Sequence, residues 1–385
     1  MLHDGIIEAR NRLAEFGFIL LLTIIAWNGS LPLAIGQDET WSQERITGVL
    51  SPPTPAEINS VLESWSTADN EVADVVLVES GKLTYENQVF DVLVFKYDVN
   101  SSLQYSACYV PVNSEPRTLP ILVEIRGVRF DYPSRDITNG PFVMSLLGDM
   151  IGKFIIVEPC LRGHELKAIE QMHRSDGDRR DSYDGAAHDA IRALSVATSQ
   201  ITAWDQENAI SFGLSRGGGV ALLHGQRDRR INGVVALSAP TDWMQLMARA
   251  DDDWPARIHE MANSYTGPTD DRAAQFFEWF LQDRNHLTNQ EIRHRLIASS
   301  PLYFAERLPP TLVHQGTHDK AVPCVNAAAL SDRFLALELD REKYKVIFHE
   351  GSGHLLRESN AAEQSVAFLK MILQYGAANP SKVDK

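Results

Sequence analysis

Short apolar runs punctuate this chain, and most are separated by just enough polar-periodic sequence for one helix. "VVLVES", "VFDVLVFKY" and "LQYSACYVPV" follow one another closely and read as antiparallel strands. "LPILVEI", "FIIVEP", "AISFG", "GVVALS", "TLVHQ" and "KVIFH" come next, and from about Val143 onward helical segments alternate with them. That alternation predicts an α/β fold: a doubly wound, mostly parallel, eight-stranded sheet with helices on both faces. Residues 75–375 make the domain, with a helical insert at about 241–300 and a flexible tail at 376–385. Residues 37–74, which carry "SPPTPAE" and scattered charges, read as an N-terminal arm.

One stretch stands out from the pattern. "SFGLSRGGGVAL" joins the strand "AISF" to a helix through a serine flanked by glycines, Gly213-x-Ser215-x-Gly217. A serine on so sharp a strand-to-helix turn takes a strained backbone conformation, and side chains two positions to either side would collide with neighbouring backbone. Glycine relieves the collision and leaves the Ser215 hydroxyl exposed. Gly218 and Gly219 let the helix pack close to the sheet. The new helix directs its first amides outward, so the Arg216 N–H is placed to hold a developing oxyanion.

A nucleophilic serine needs a base, and the base needs an orienting carboxylate. Downstream, the strand Thr311 to Gln315 runs into a loop that carries Asp319, and the strand Tyr344 to His349 runs into a glycine-spaced loop that carries His354. Asp319 follows Ser215 by 104 residues and His354 follows Asp319 by 35, room for intervening helices and strands. Each of the three falls just past the carboxyl end of a predicted strand, where parallel sheets build their sites. The order Ser, Asp, His is that of the α/β-hydrolases.

Around these residues the chain resembles the catalytic domain of the prolyl oligopeptidase family of serine hydrolases, from about residue 90 to 375. The resemblance rests on "FGLSRGG", "HQGTHDKAVP", "GSGH", "VEPCLRGHE" and "SSPLYFAERLPP" in that family's order and spacing. It implies an α/β-hydrolase fold, with Ser215 as nucleophile, His354 as general base and then acid, and Asp319 as the group that orients His354. The family usually has Tyr-x-Gly or His-Gly-Gly after the third core strand to complete the oxyanion hole. Here "LPILVEI" ends in "RGVRF", with no tyrosine at Ile125, so the second donor is expected from a backbone N–H near Arg126 or Gly127, or from the Arg126 guanidinium.

Other residues have plainer readings. His349 and His354 are five apart in a loop, which misses the one-turn spacing of a zinc helix, so no metal is expected. His318 adjoins Asp319 and is the alternative base. Arg162 and Gly163 brace the loop after the fourth strand, with Asp184 or Asp189 as partners. Phe276 to Phe280, "FFEWF", is either the core face of a helix or a wall over the site. Cys108, Cys160 and Cys324 are too scattered for zinc or a disulfide framework, and Cys160 reads as a small core residue.

Composition narrows the setting. A formal charge of −15 without a basic run excludes nucleic-acid partners. Arg10 and Arg12 precede the 12-residue apolar run "FGFILLLTIIAW", and Ala34 and Gly36 then offer a cleavage site before Gln37. Residues 1–36 thus have a signal-peptide layout, which implies a secreted or periplasmic enzyme; an uncleaved membrane anchor is the alternative, with Asp4, Glu8 and Glu15 unusual for a leader. The chemistry expected is acyl transfer to water without a cofactor, on a small ester or short peptide. Only about 50 residues separate Gln37 from the first core strands, too few for the β-propeller that the resembling peptidases carry ahead of this domain, and no carboxylate pair for a free peptide amino terminus can be placed. Esterase activity on small esters is therefore favoured over a prolyl oligopeptidase-like peptidase, and a catalytically silent binding protein is the remaining alternative.

Overall fold

A computed structural model of the chain describes residues 43–127, 134–248 and 286–378. Residues 1–36, expected to be a signal peptide, most of the expected 241–300 insert with its aromatic run 276–280, and most of the expected tail lie outside the described residues.

Among the described residues twelve strands are formed: β1 Ala73–Tyr85, β2 Gln88–Val99, β3 Ser102–Pro111, β4 Leu119–Ile125, β5 Ser134–Asp136, β6 Ile155–Cys160, β7 Glu165–Lys167, β8 Met172–Arg174, β9 Trp204–Leu214, β10 Ile231–Leu237, β11 Thr311–Gly316 and β12 Tyr344–His349. Nine of them make one sheet in the order β1-β2-β3-β6-β4-β9-β10-β11-β12. The first joins are antiparallel and those from β6 to β12 are parallel. Eight strands were expected. All nine of the apolar runs join the sheet; β1, which carries "VVLVES", pairs with β2 along its whole length, from Ala73↔Asp98 to Tyr85↔Gln88, in a hairpin whose turn uses the positive φ of Glu86, 51°. Strands β5, β7 and β8 form a separate small sheet with no counterpart in the sequence reading.

Parallel strands buried on both faces must be apolar on both, and alternate residues go to opposite layers. Ile121, Val123 and Ile125 of β4 join a core with the helices Asp184–Gln200 and Arg216–Arg227, whereas Leu122 joins a second core with the helix Ala361–Ala378. The N-terminal arm contributes to the first core. Its helix Pro55–Thr67 starts with a capping box between Thr54 and Glu57 and buries Val61 and Trp65. Trp65 packs 4.3 Å from the Phe304 ring and beneath the Arg227 guanidinium. Among the described residues no helix is long and apolar enough to cross a membrane. All three cysteines are free thiols; Cys160 is a buried core residue, and burial pushes its thiol up to about 12.

The register matters for the site. Ile125 pairs with Gly213, Leu214 with Leu237, Leu237 with His314, and Gly316 with His349. The carboxyl ends of β4, β9, β10, β11 and β12 therefore finish at one rim of the sheet, and the residues just beyond them are neighbours.

Candidate active site

Ser215 stands between β9 and the helix Arg216–Arg227 with φ 59° and ψ −125°, a region L-residues rarely enter. Such strain costs on the order of 1–3 kcal/mol and persists only where the surroundings enforce it. Here the Ser215 N–H donates to the Leu237 carbonyl at 2.8 Å and the Ser215 carbonyl accepts from Gly219 N–H at 3.2 Å. A Cβ at 213 would fall on the Gly217 carbonyl, and one at 217 on the Ile125 carbonyl. The chain can turn this sharply only with glycine at both positions. Gly218 and Gly219 likewise sit hard against Ala239 and Pro240, which sets the helix close over β10. Ser215 itself is half-buried, open enough to meet a ligand.

Asp319 and His354 meet as expected. His354 Nδ1–H donates to Asp319 Oδ2 at 2.8 Å. The same oxygen accepts from Gln315 Nε2 at 3.1 Å, while Oδ1 accepts from the amides of Ala321 at 2.8 Å and Val322 at 2.9 Å. The Asp319 carboxylate is wholly buried, and the His354 side chain is 25% exposed. A histidine that donates from Nδ1 carries its lone pair on Nε2, the form a general base needs. His318 is exposed, and its own amide donates to the Ser352 carbonyl; Asp319 is taken by His354.

Sequence reasoning missed the residue that joins the two halves. Ser238 Oγ–H donates to the His354 carbonyl at 2.8 Å, and the preceding carbonyl, that of Leu237, is the one that holds Ser215 N–H. Ser215 and His354 thus hang from consecutive residues at the end of β10. Ser238 is fully buried with φ 48°, and the only sequence signal was a small polar residue closing the apolar run "GVVAL".

The second oxyanion donor was expected just past the end of β4. Gly127 is pressed against the nucleophile turn: a Cβ there would sit 2.8 Å from the Leu214 carbonyl and 3.3 Å from Ser215 Cβ. The Arg126 guanidinium is engaged elsewhere. Its Nε pairs with Glu158 and lies 3.5 Å from Glu124, and its Nη2 donates to the Gly140 carbonyl at 3.1 Å. Of the groups expected at this position, the Arg126 guanidinium is thus held by other partners, and the Gly127 backbone is the one packed beside Ser215. Two glutamates inside otherwise apolar strands, "LVEI" and "IVEP", were the signal that a buried cation lay between them.

Behind the site, Arg162 braces its loop through Asp189, with bonds of 2.9 to 3.1 Å, and through Asp181 at 2.5 Å. Asp184 bonds instead to Arg227 at 2.7 Å. A second Ser–His–Asp grouping, Ser211, His224 and Asp228, is sealed in the core, with Ser211 and His224 wholly inaccessible. His349 Nε2 bonds to His314 Nδ1 at 2.9 Å. No group of three or more His, Cys, Asp or Glu that could hold a metal is found among the described residues.

A mostly parallel sheet with the Ser215 turn after β9, Asp319 after β11 and His354 after β12 has the architecture of the α/β-hydrolase fold. The chain belongs to the prolyl oligopeptidase family, whose sequence profile matches residues 154–375. No curated protein matches it in sequence. Among solved structures it is similar to acetyl xylan esterase 1 from Thermoanaerobacterium sp. JW/SL YS485, with TM-score 0.53 and 16% identity over 89% of this chain and 99% of that one. An acetyl xylan esterase from Paenibacillus sp. R4 gives TM-score 0.52 and 15% identity, over 86% and 98% of the two chains. The acylaminoacyl peptidase of Pyrococcus horikoshii gives 0.51 and 13%, over 74% of this chain and 41% of that one. At these identities the likeness is one of fold.

Proposed function

We propose that this protein is a serine hydrolase that transfers an acyl group from an ester or amide to water through an acyl-enzyme, with Ser215, His354 and Asp319 as its triad. Ser215 attacks the substrate carbonyl while His354 Nε2 takes its proton; His354 then returns that proton to the leaving group, and the same base activates water for deacylation. Asp319 holds the imidazole in the required tautomer and stabilises its cation. The oxyanion rests on the Arg216 N–H and on a backbone N–H at Arg126–Gly127. The observation that carries this reading is the 2.8 Å bond from His354 Nδ1 to a buried Asp319, on a histidine tied through Ser238 to the residue that holds Ser215.

Small esters are the favoured substrates. An ester releases a better leaving group than an amide and asks less of remote binding energy, and the fold aligns with two acetyl xylan esterases over 89% and 86% of this chain. A peptidase activity uses the same machinery and is separated by substrate. The test is a panel of p-nitrophenyl acyl esters and aminoacyl amides, together with labelling by a fluorophosphonate probe. Parent protein is expected to be labelled and to turn over short esters faster than amides, and Ser215→Ala to do neither. Labelling that survived in Ser215→Ala would move the nucleophile elsewhere, and faster amide turnover would favour the peptidase.

A further inference from the structure

We infer that the Arg216 side chain and His164 form a clamp that aims the Gly127 N–H into the oxyanion site, so that Arg216 serves the tetrahedral intermediate twice, once through its own amide and once by positioning the second donor. The inference rests on the hydrolase reading above and adds two residues to it.

Arg216 is the residue after the nucleophile, yet its side chain is buried rather than extended toward solvent, at 3% exposure. Its guanidinium has two contacts of known direction. Nη2 donates to the Arg126 carbonyl at 3.4 Å, and Nη1 meets His164 Nε2 at 3.3 Å. A trans peptide is planar, with its C=O and N–H pointing in opposite directions. Holding the Arg126 carbonyl on the Arg216 side therefore turns the Gly127 N–H the other way. Gly127 is also the residue packed against Ser215 Cβ. The second hold on this peptide comes from the Arg126 side chain, pinned by Glu158, Glu124 and the Gly140 carbonyl.

His164 can accept from Arg216 only as a neutral ring with its lone pair on Nε2. Its other nitrogen lies 2.9 Å from the Arg162 carbonyl, which cannot donate, so Nδ1 carries the hydrogen. Burial, then the Arg216 charge, holds this histidine down at about 3, which keeps the ring neutral at working pH. Arg162 is in turn locked to Asp189. The order of support runs from the Arg162–Asp189 pair to His164, to Arg216, to the Arg126 carbonyl and so to the Gly127 N–H. The side chains of Arg216, His164 and Arg162 thus act through position.

The test compares Arg216→Met, His164→Leu and His164→Gln by steady-state kinetics on p-nitrophenyl acetate, by inhibition with a trifluoromethyl ketone, which binds as a tetrahedral oxyanion, and by thermal unfolding. Glutamine can offer Oε1 to Arg216 and an N–H to the Arg162 carbonyl, so it is the rescue variant. Losing an oxyanion donor outright costs about 10²–10³ in kcat; misaiming one is expected to cost about 10- to 100-fold in R216M and H164L, with KM within about threefold and ketone affinity falling in step. H164Q is expected to return kcat to within about threefold of the parent. Where R216M does not fold, Arg216→Lys, which cannot hold both partners at once, is expected to change kcat in the same direction. Parental kcat and ketone affinity in folded H164L, a loss confined to KM, or equal losses in H164L and H164Q would each overturn the clamp. Absence of Ser215-dependent turnover in the parent would overturn the hydrolase reading itself, and the clamp with it.

Discussion

Replacing Asp319 by asparagine should leave the fold intact and remove most of the catalysis. The carboxylate accepts four hydrogen bonds: two backbone amides on Oδ1, at 2.8 and 2.9 Å, and Gln315 and His354 on Oδ2, at 3.1 and 2.8 Å. Asparagine keeps one acceptor oxygen, and the two backbone amides will claim it, because the reverse orientation would set an N–H against both. The new N–H₂ then faces His354 Nδ1. To accept from it, the imidazole must move its own hydrogen to Nε2, the nitrogen that should take the proton from Ser215. The base is lost without moving an atom by much. In a Ser–His–Asp triad this tautomer error costs about 10⁴ in kcat, or about 5 kcal/mol of transition-state stabilisation. The assay is kcat on p-nitrophenyl acetate and the second-order rate of fluorophosphonate labelling, alongside a thermal melt of the same sample. A folded Asp319→Asn protein with kcat within tenfold of the parent would refute the reasoning and place the orienting acid elsewhere.

Ser238→Ala removes the bond that ties the His354 backbone to the nucleophile strand, and kcat should fall about tenfold with little change in thermal stability; an unchanged kcat would mean that packing alone holds the loop. Gly217→Ala drives a methyl into the Ile125 carbonyl, and should destabilise by about 2–4 kcal/mol and abolish labelling; a normal melt with normal labelling would contradict the elbow geometry. Arg293 donates to the carbonyls of Gly48, Val49, Ser51 and Pro52 and pairs with Glu57, so Arg293→Met should cost about 2–4 kcal/mol and open the arm to limited proteolysis near residues 43–67. Resistance equal to the parent would show that the arm is held by its apolar contacts. Burial holds His164 and His314 at about 3 and His188 at about 4, below the ordinary 6.5. The unfolded chain therefore binds more protons below pH 6.5, so their contribution is complete above that value and is lost as pH falls toward 3–4, by about 1.4 kcal/mol per pH unit for each histidine. Urea midpoints at pH 7 and pH 5 test this, and equal midpoints would count against it.

Local sequence determined a great deal of this protein. The apolar runs at 119–125, 155–160, 209–214, 231–237 and 311–316 are strands buried on both sides, with the run at 344–349 as the edge strand beside them, and the helices between them follow from their spacing. Gly213-x-Ser215-x-Gly217 determined the elbow, since only one kind of turn excludes Cβ atoms at both flanks while exposing the residue between them. Asp319 and His354 were legible because each closes a strand at the end where parallel sheets gather their loops.

The tertiary structure decided what periodicity cannot carry. That β6 inserts between β3 and β4 is a matter of crossovers, and it is this order that sets Glu158 beside Arg126. Asp184 and Asp189 were equal partners for Arg162 in the sequence, but five residues place them roughly 140° apart around a helix, and only Asp189 faces the arginine while Asp184 faces Arg227. Ser238 and His164 gave little warning, because a small polar residue and a loop histidine have no local pattern to betray them. Their roles exist only where the ends of separate strands meet, and those distances are set by packing between segments far apart in the chain.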